Sequence, residues 1–189
     1  MPIIGITASS IQPSIFAGDF DSIQTVTVTT ATAASVEFTN VPQTYKHLQL
    51  RIITRTDRAA NLDAVRMQLN SDTTAGNYRI HYLFGDGSTT GSGTEATVAH
   101  IILYRVSGAT AGASNFGTIV CDILDYTSTN KNKTTRALGG MDNNGSGEVY
   151  LNSGLYFPAT IAAITNIKLT PNVGTNFVQH SSFALYGIK

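Results

Sequence analysis

Residues 38–56 read FTNVPQTYKHLQLRIITRT, and the alternation in the second half of this stretch decides the fold class. A turn marked by Asn40 and Pro42 leads into Leu48, Leu50 and Ile52. In an extended chain these three point to one side, because successive strand side chains alternate between faces. Lys46, His47, Gln49, Arg51 and Arg55 lie along or beside the other side. That polar row reads as the solvated or subunit-facing side of a strand, with a specific ligand surface as the alternative. Its candidate contacts are Lys46, His47, Arg51 and Arg55.

The same period of two recurs down the chain. QTVTVTT from Gln24, SVEFT, AVRMQLN and YRIHYLF each set apolar residues on one parity, and VAHIILYRV, TIVCDILDY, GEVYLNSGLY, ITNIKLT and NFVQHSSFALYGI continue the series. Turn chemistry separates most of them, as in NSDTTAGN, GDGSTTGSG, TSTNKNK and MDNNGSG. Roughly ten strands are expected, with the β-branched Thr favoured over the Glu and Lys of exposed helices. No segment carries a sustained helical stripe; RAANLDAV, residues 58–65, is expected to hold one helical turn.

Many short strands with Gly-rich turns predict an all-β fold, an antiparallel jelly-roll-like β-sandwich over residues 22–189 as one domain. Residues 1–21 lack a clear period and mix isolated apolar residues with Pro13 and Gly18. They are expected to form an extended N-terminal arm that docks on neighbouring subunits through Ile3, Ile4, Ile6, Ile11, Ile15 and Phe16.

Charge narrows the partners. Twelve Lys and Arg balance twelve Asp and Glu, and only 13% of the chain is charged. Nucleic acid held by bulk electrostatics needs a basic face, and a polybasic membrane anchor needs a cluster of cations; neither is present, so no nucleic-acid or membrane partner is expected. A net charge near zero favours association over life as a free monomer. The single cysteine, Cys121, excludes an internal disulfide and reads as a buried thiol between apolar neighbours. The start, MPIIGITASSIQPSIF, lacks the charged region and long apolar core of a secretory signal, which sets the expectation of assembly in a cytoplasm.

Motifs with chemistry are sparse. Asp142, Asn144, Ser146 and Gly147 follow the opening of a calcium loop, but Ser153 stands where the bidentate acid belongs, so the stretch reads as a hairpin turn with a weak cation site as the alternative. GDGSTTGSG, residues 85–93, lacks the Gly-Lys-Ser/Thr of a phosphate loop. His47, His81, His100 and His180 are expected in four separate strands with no metal-ligand spacing. The acid pairs Asp122/Asp125 and Asp19/Asp21 have nothing to distinguish them as a hydrolytic pair. No serine elbow is found. Eight Tyr, eight Phe and no Trp make a sugar-stacking platform a weaker reading, and Phe38, Tyr82, Phe84 and Phe183 fall on core parities. The expectation is therefore a protein that is not an enzyme and carries no cofactor or bound metal.

The blocks VPQTYKHLQLRIITRT, MQLN, YRIHYLFGDG, FGTIVCDILDY with NKNKTTRALGG, and NFVQHSSFALYGIK, in that order, resemble a family of structural proteins of tailed bacteriophages. The resemblance runs from about Ser22 to Lys189. It implies a virion protein, a capsid decoration or cement subunit or a tail appendage, built as a β-sandwich and assembled as a homotrimer or around another symmetry axis. The partners it implies are further copies of the chain and the major capsid protein or another virion protein. A tail-fibre or head-fibre module that recognises host glycan is the alternative. The family supplies no catalytic residues.

Overall fold

The computed structural model describes residues 19–189, all of them strand, turn or irregular chain. Six strands occupy the first half: β1 (Phe20–Thr27), β2 (Thr32–Ala33), β3 (Val36–Phe38), β4 (His47–Thr54), β5 (Leu62–Leu69) and β6 (Tyr78–Gly85). Eight follow: β7 (Thr90–Val98), β8 (Ile101–Ser107), β9 (Gly117–Leu124), β10 (Lys133–Asp142), β11 (Gly147–Tyr156), β12 (Ile167–Pro171), β13 (Phe177–Val178) and β14 (Ser182–Ile188). Eight of them form one sheet in the order β1-β14-β4-β9-β10-β11-β6-β7, four form a second in the order β3-β12-β5-β8, and β2 pairs with β13 as a short ribbon. Every ladder between named strands is antiparallel. The all-β antiparallel sandwich is thus as expected; the strands divide eight and four between its sheets.

The core lies between the sheets. From the broad sheet come Leu48, Leu50 and Ile52 of β4, Ile119, Cys121 and Ile123 of β9, and Phe183 and Leu185 of β14. Val65, Met67, Leu69, Ile101, Leu103, Ile167 and Leu169 meet them from the narrow sheet. Strand β8 runs against β9, β10 and β11, and glycine makes that approach feasible. A Cβ on Gly139 would overlap the Tyr104 carbonyl oxygen, and one on Gly117 would run into the Val106 backbone. Cys121 is buried, and burial pushes its thiol far above the usual range.

Three local expectations need correction. Residues 58–65 hold no helical turn: Leu62 onward is β5, because Ala64, Val65, Met67 and Leu69 bury between neighbouring strands. Strand β1 starts at Phe20, inside the span assigned to the arm, since Phe20 and Asp21 pair with Ile188 and Gly187. The arm anchors Ile3, Ile4, Ile6, Ile11, Ile15 and Phe16 lie outside the described residues. Of the histidines, only His47 and His81 sit in strands; His100 and His180 occupy turns, His180 with a φ of 73°.

A buried carboxylate fastens one end of the sandwich. Asp63 Oδ2 accepts from the Thr56 hydroxyl at 2.8 Å and from Gly174 N–H at 3.0 Å, while Oδ1 accepts from Val173 N–H at 3.2 Å. Beside it, Asp57 Oδ1 accepts from the Thr175 and Asn176 amides at 2.7 and 2.9 Å. Partial burial would raise the Asp57 carboxyl, yet these bonds outweigh it and hold it below the ordinary aspartate value.

Candidate interaction face

The outer face of the broad sheet is unlike an ordinary wet face. Register places Val120 of β9 opposite Leu138 of β10, Leu138 opposite Leu151 of β11, and Leu151 opposite Leu83 of β6. Four adjacent strands therefore present one unbroken apolar rung. On the next rung, Thr118 faces Gly140, Gly140 faces Val149, and Val149 faces Gly85. Exposure of Leu83, Val120, Leu138, Val149 and Leu151 runs from 41% to 58%, and Ile53 at the β4 end is 51% exposed. No described residue covers them. An apolar patch of this continuity on the outer side of an antiparallel sheet makes this face the candidate interaction surface.

The face is also relieved in depth. An open groove of about 830 Å³ runs over the glycine rung, floored by Gly85 and Gly140 and walled by Val120, Leu138 and Val149. Missing side chains make the hollow, and the neighbouring leucines stand above it. Asp86 and Asp142, both exposed, close its far end. The Asp86 carboxylate accepts from the Thr89 and Ser88 amides, which hold it below the ordinary aspartate value and keep it charged. Asp142 Oδ1 accepts from Asn144 N–H at 2.8 Å across a tight hairpin in which Asn144 and Gly145 have φ of 51° and 107°. That carboxylate therefore serves the turn between β10 and β11, as hairpin chemistry predicts.

On the other flank of the apolar rung lies a polar one. Arg136 faces Asp122 and Ser153, and Ser153 faces His81. Here an open groove of about 480 Å³ is lined by His81, Arg136, Ser153 and Thr94 beside Leu83 and Leu151. The face thus has three bands: polar with an exposed cation at Arg136, apolar, then glycine with acids beyond.

The residues singled out from the sequence are placed differently. Arg55 is consumed internally: its guanidinium donates to the carbonyls of Gly112 at 2.7 Å, Ala109 at 2.8 Å, Ala111 at 3.0 Å and Asn115 at 3.4 Å. It staples the loop after β8 rather than presenting a contact. His47 Nδ1 accepts from Asp125 N–H at 2.9 Å. Arg51 does reach the outer face, where it stacks over Tyr186 at 5.0 Å and Phe20 at 5.8 Å and faces Val120 across the ladder. Lys46 is exposed beside β4. These four do not converge on one site.

The acid pair Asp122 and Asp125 does not converge either. Asp122 accepts from Gln49 Nε2 at 2.8 Å on the outer face, while Asp125 pairs with Lys131 Nζ at 2.8 Å and is held below the ordinary aspartate value by it. Among the described residues no group of three or more His, Cys, Asp or Glu is arranged to hold a metal.

Sequence reading passed over the apolar rung itself. Its signal is present in TIVCDIL, HYLF and RALGG, where apolar residues occupy both parities of a strand that alternation would make half polar. The chain matches no protein-family model, no curated protein and no solved structure.

Proposed function

We propose that this chain is a non-enzymatic structural subunit of a bacteriophage virion, a capsid decoration or cement protein that binds the outer shell and associates with copies of itself. The observation that carries the reading is the half-exposed rung Val120–Leu138–Leu151–Leu83 on a rigid antiparallel sandwich. A subunit whose work is to pack against protein needs such a surface. The phage resemblance of the blocks between Ser22 and Lys189 supplies the setting. In this reading the segment before Phe20 reaches the shell or an adjacent protomer with Ile3, Ile4, Ile6, Ile11, Ile15 and Phe16 as anchors. Burial of one such side chain contributes roughly 1.5–3 kcal/mol before ordering costs.

The test is the copy number of the chain in purified particles, by quantitative mass spectrometry against the major capsid protein. A simple fraction of the capsid count is expected; no copies would end the virion reading. Deletion of residues 1–18 is expected to leave the domain folded and abolish attachment to stripped particles, and equal attachment would refute the arm's role.

A second reading rests on the polar groove at His81, Arg136, Ser153 and Thr94 beside Leu83 and Leu151, a mixture of donors and apolar surface that suits a sugar. It makes the chain a tail-fibre or head-fibre module for host glycan. Reproducible binding on a glycan array, lost in Arg136→Ala, is its signature.

A further inference from the structure

We infer that the outer face of the broad sheet pairs with the same face of a second copy, about a two-fold axis that runs across the strands between the leucine rung and the glycine rung. Three features of the face lead to one geometry. Such a rotation turns the partner's strands end for end and sets each band against its complement. The first rung of one copy then meets the second rung of the other, strand by strand: Leu138 of β10 over Gly140 of β10, Leu83 of β6 over Gly85 of β6, Leu151 of β11 against Val149 of β11. Large meets small in each of the first two, so the leucines enter the glycine groove. Two sheets can pack this way because aligned faces interdigitate at about 10 Å.

The flanking bands obey the same rotation. The rung before the leucines carries Arg136 on β10 and His81 on β6; the positions beyond the glycines carry Asp142 on β10 and Asp86 just after β6. Across the axis, Arg136 faces the partner's Asp142 and His81 faces the partner's Asp86, and each pairing occurs twice. A two-fold along the strands would instead place Asp142 against Asp142 and Arg136 against Arg136, which like-charge repulsion disfavours. Six apolar side chains at half exposure offer roughly 500 Å² of apolar area, and with their polar margins the face approaches the ~800 Å² per partner of a standard interface. Twelve cations balanced by twelve anions leave no long-range repulsion between copies.

The pairing specifies the self-association named in the proposed function but needs no virion setting, so its test uses the isolated full chain. Sedimentation equilibrium is expected to show a dimer. Arg136→Asp and Asp142→Arg, each of which creates two like-charge contacts, are expected to weaken it by about a hundredfold. The double variant, with both charges exchanged, is expected to recover to within about tenfold of the parent. Leu83→Asn, which alters no charge, is expected to cost about tenfold. A cooperative thermal transition in all four, measured on chains dilute enough to be dissociated, establishes that folding is intact. A monomeric parent, a trimer, indifference to both charge variants, or a double variant no better than the worse single would each overturn the pairing. A monomer whose Leu138→Cys thiol still labels slowly would assign the face to residues 1–18 and overturn it as well. Particle copy number is untouched by any of these outcomes, so the two proposals fail separately.

Discussion

Leu138 and Gly139 are neighbours in β10 and point to opposite faces of one sheet, yet they are held by different physics. On the inner face, Gly139 lets β8 lie directly on β10, and packing leaves no room for a methyl group. On the outer face, Leu138 stands 55% exposed with nothing described above it. The inner face is fixed by folding within the chain. The outer face is as apolar along its rung, yet no described residue covers it. Burial, then, separates two sets of apolar residues here: those that the fold needs lie inside, and those that the fold tolerates lie outside in a pattern stability does not explain.

The sharpest break of this comparison is Gly139→Ala. A Cβ on Gly139 would overlap a backbone carbonyl, not the tip of a flexible side chain, so the two sheets would have to separate. The expected loss is about 4 kcal/mol or more, enough to abolish the cooperative transition of a marginally stable domain. A Gly139→Ala protein with an unchanged denaturant midpoint would mean that β8 does not rest on β10.

Next in size is Asp63→Ala. Removing this buried carboxylate orphans the buried Thr56 hydroxyl and the part-buried amides of Val173 and Gly174. Desolvated donors without acceptors should cost roughly 3 kcal/mol, read as a shift of the urea midpoint at constant slope. Asp63→Asn keeps the shape and part of the accepting capacity and should fall between the two. Equal effects of Asn and Ala would point to volume rather than hydrogen bonding.

Arg55→Ala separates a staple from a contact. Its guanidinium donates to four carbonyls of the loop after β8. Its loss should cost about 1 kcal/mol and speed amide exchange in residues 108–115, with no change in association. A defect in association with normal loop exchange would return Arg55 to the role that its place beside β4 suggested.

These cases show what was legible in the sequence. Alternation placed Leu48, Leu50 and Ile52 inside because the period of two is unbroken from His47 to Ile52. The segment at 58–65 misled because Ala-rich composition mimics a helical turn, whereas the pairing of β5 with β8 and β12 is a long-range choice. Asp63 was invisible for the same reason: its partners at 173 and 174 lie more than a hundred residues away, and Asp rarely buries fully. The outer rung was written in the chain as apolar residues on both parities. Which parity faces inward, and hence which is left over, is decided only when the narrow sheet covers one side. Arg136, His81, Asp86 and Asp142 became a pattern only through register, which no single strand contains.

The smallest expected effect is the most informative about the outer face. Leu138→Ser removes a large apolar side chain, and in a core that would cost several kcal/mol. Here the side chain is half in water, so the isolated domain should change by less than about 0.5 kcal/mol, measured at a concentration low enough to keep chains apart. Solubility should rise and any concentration dependence of the thermal midpoint should weaken, because mass action links association to apparent stability. A loss above about 2 kcal/mol in the dilute chain would show that something in the same polypeptide already covers Leu138. The face would then be part of the fold, and the distinction between Leu138 and Gly139 would vanish.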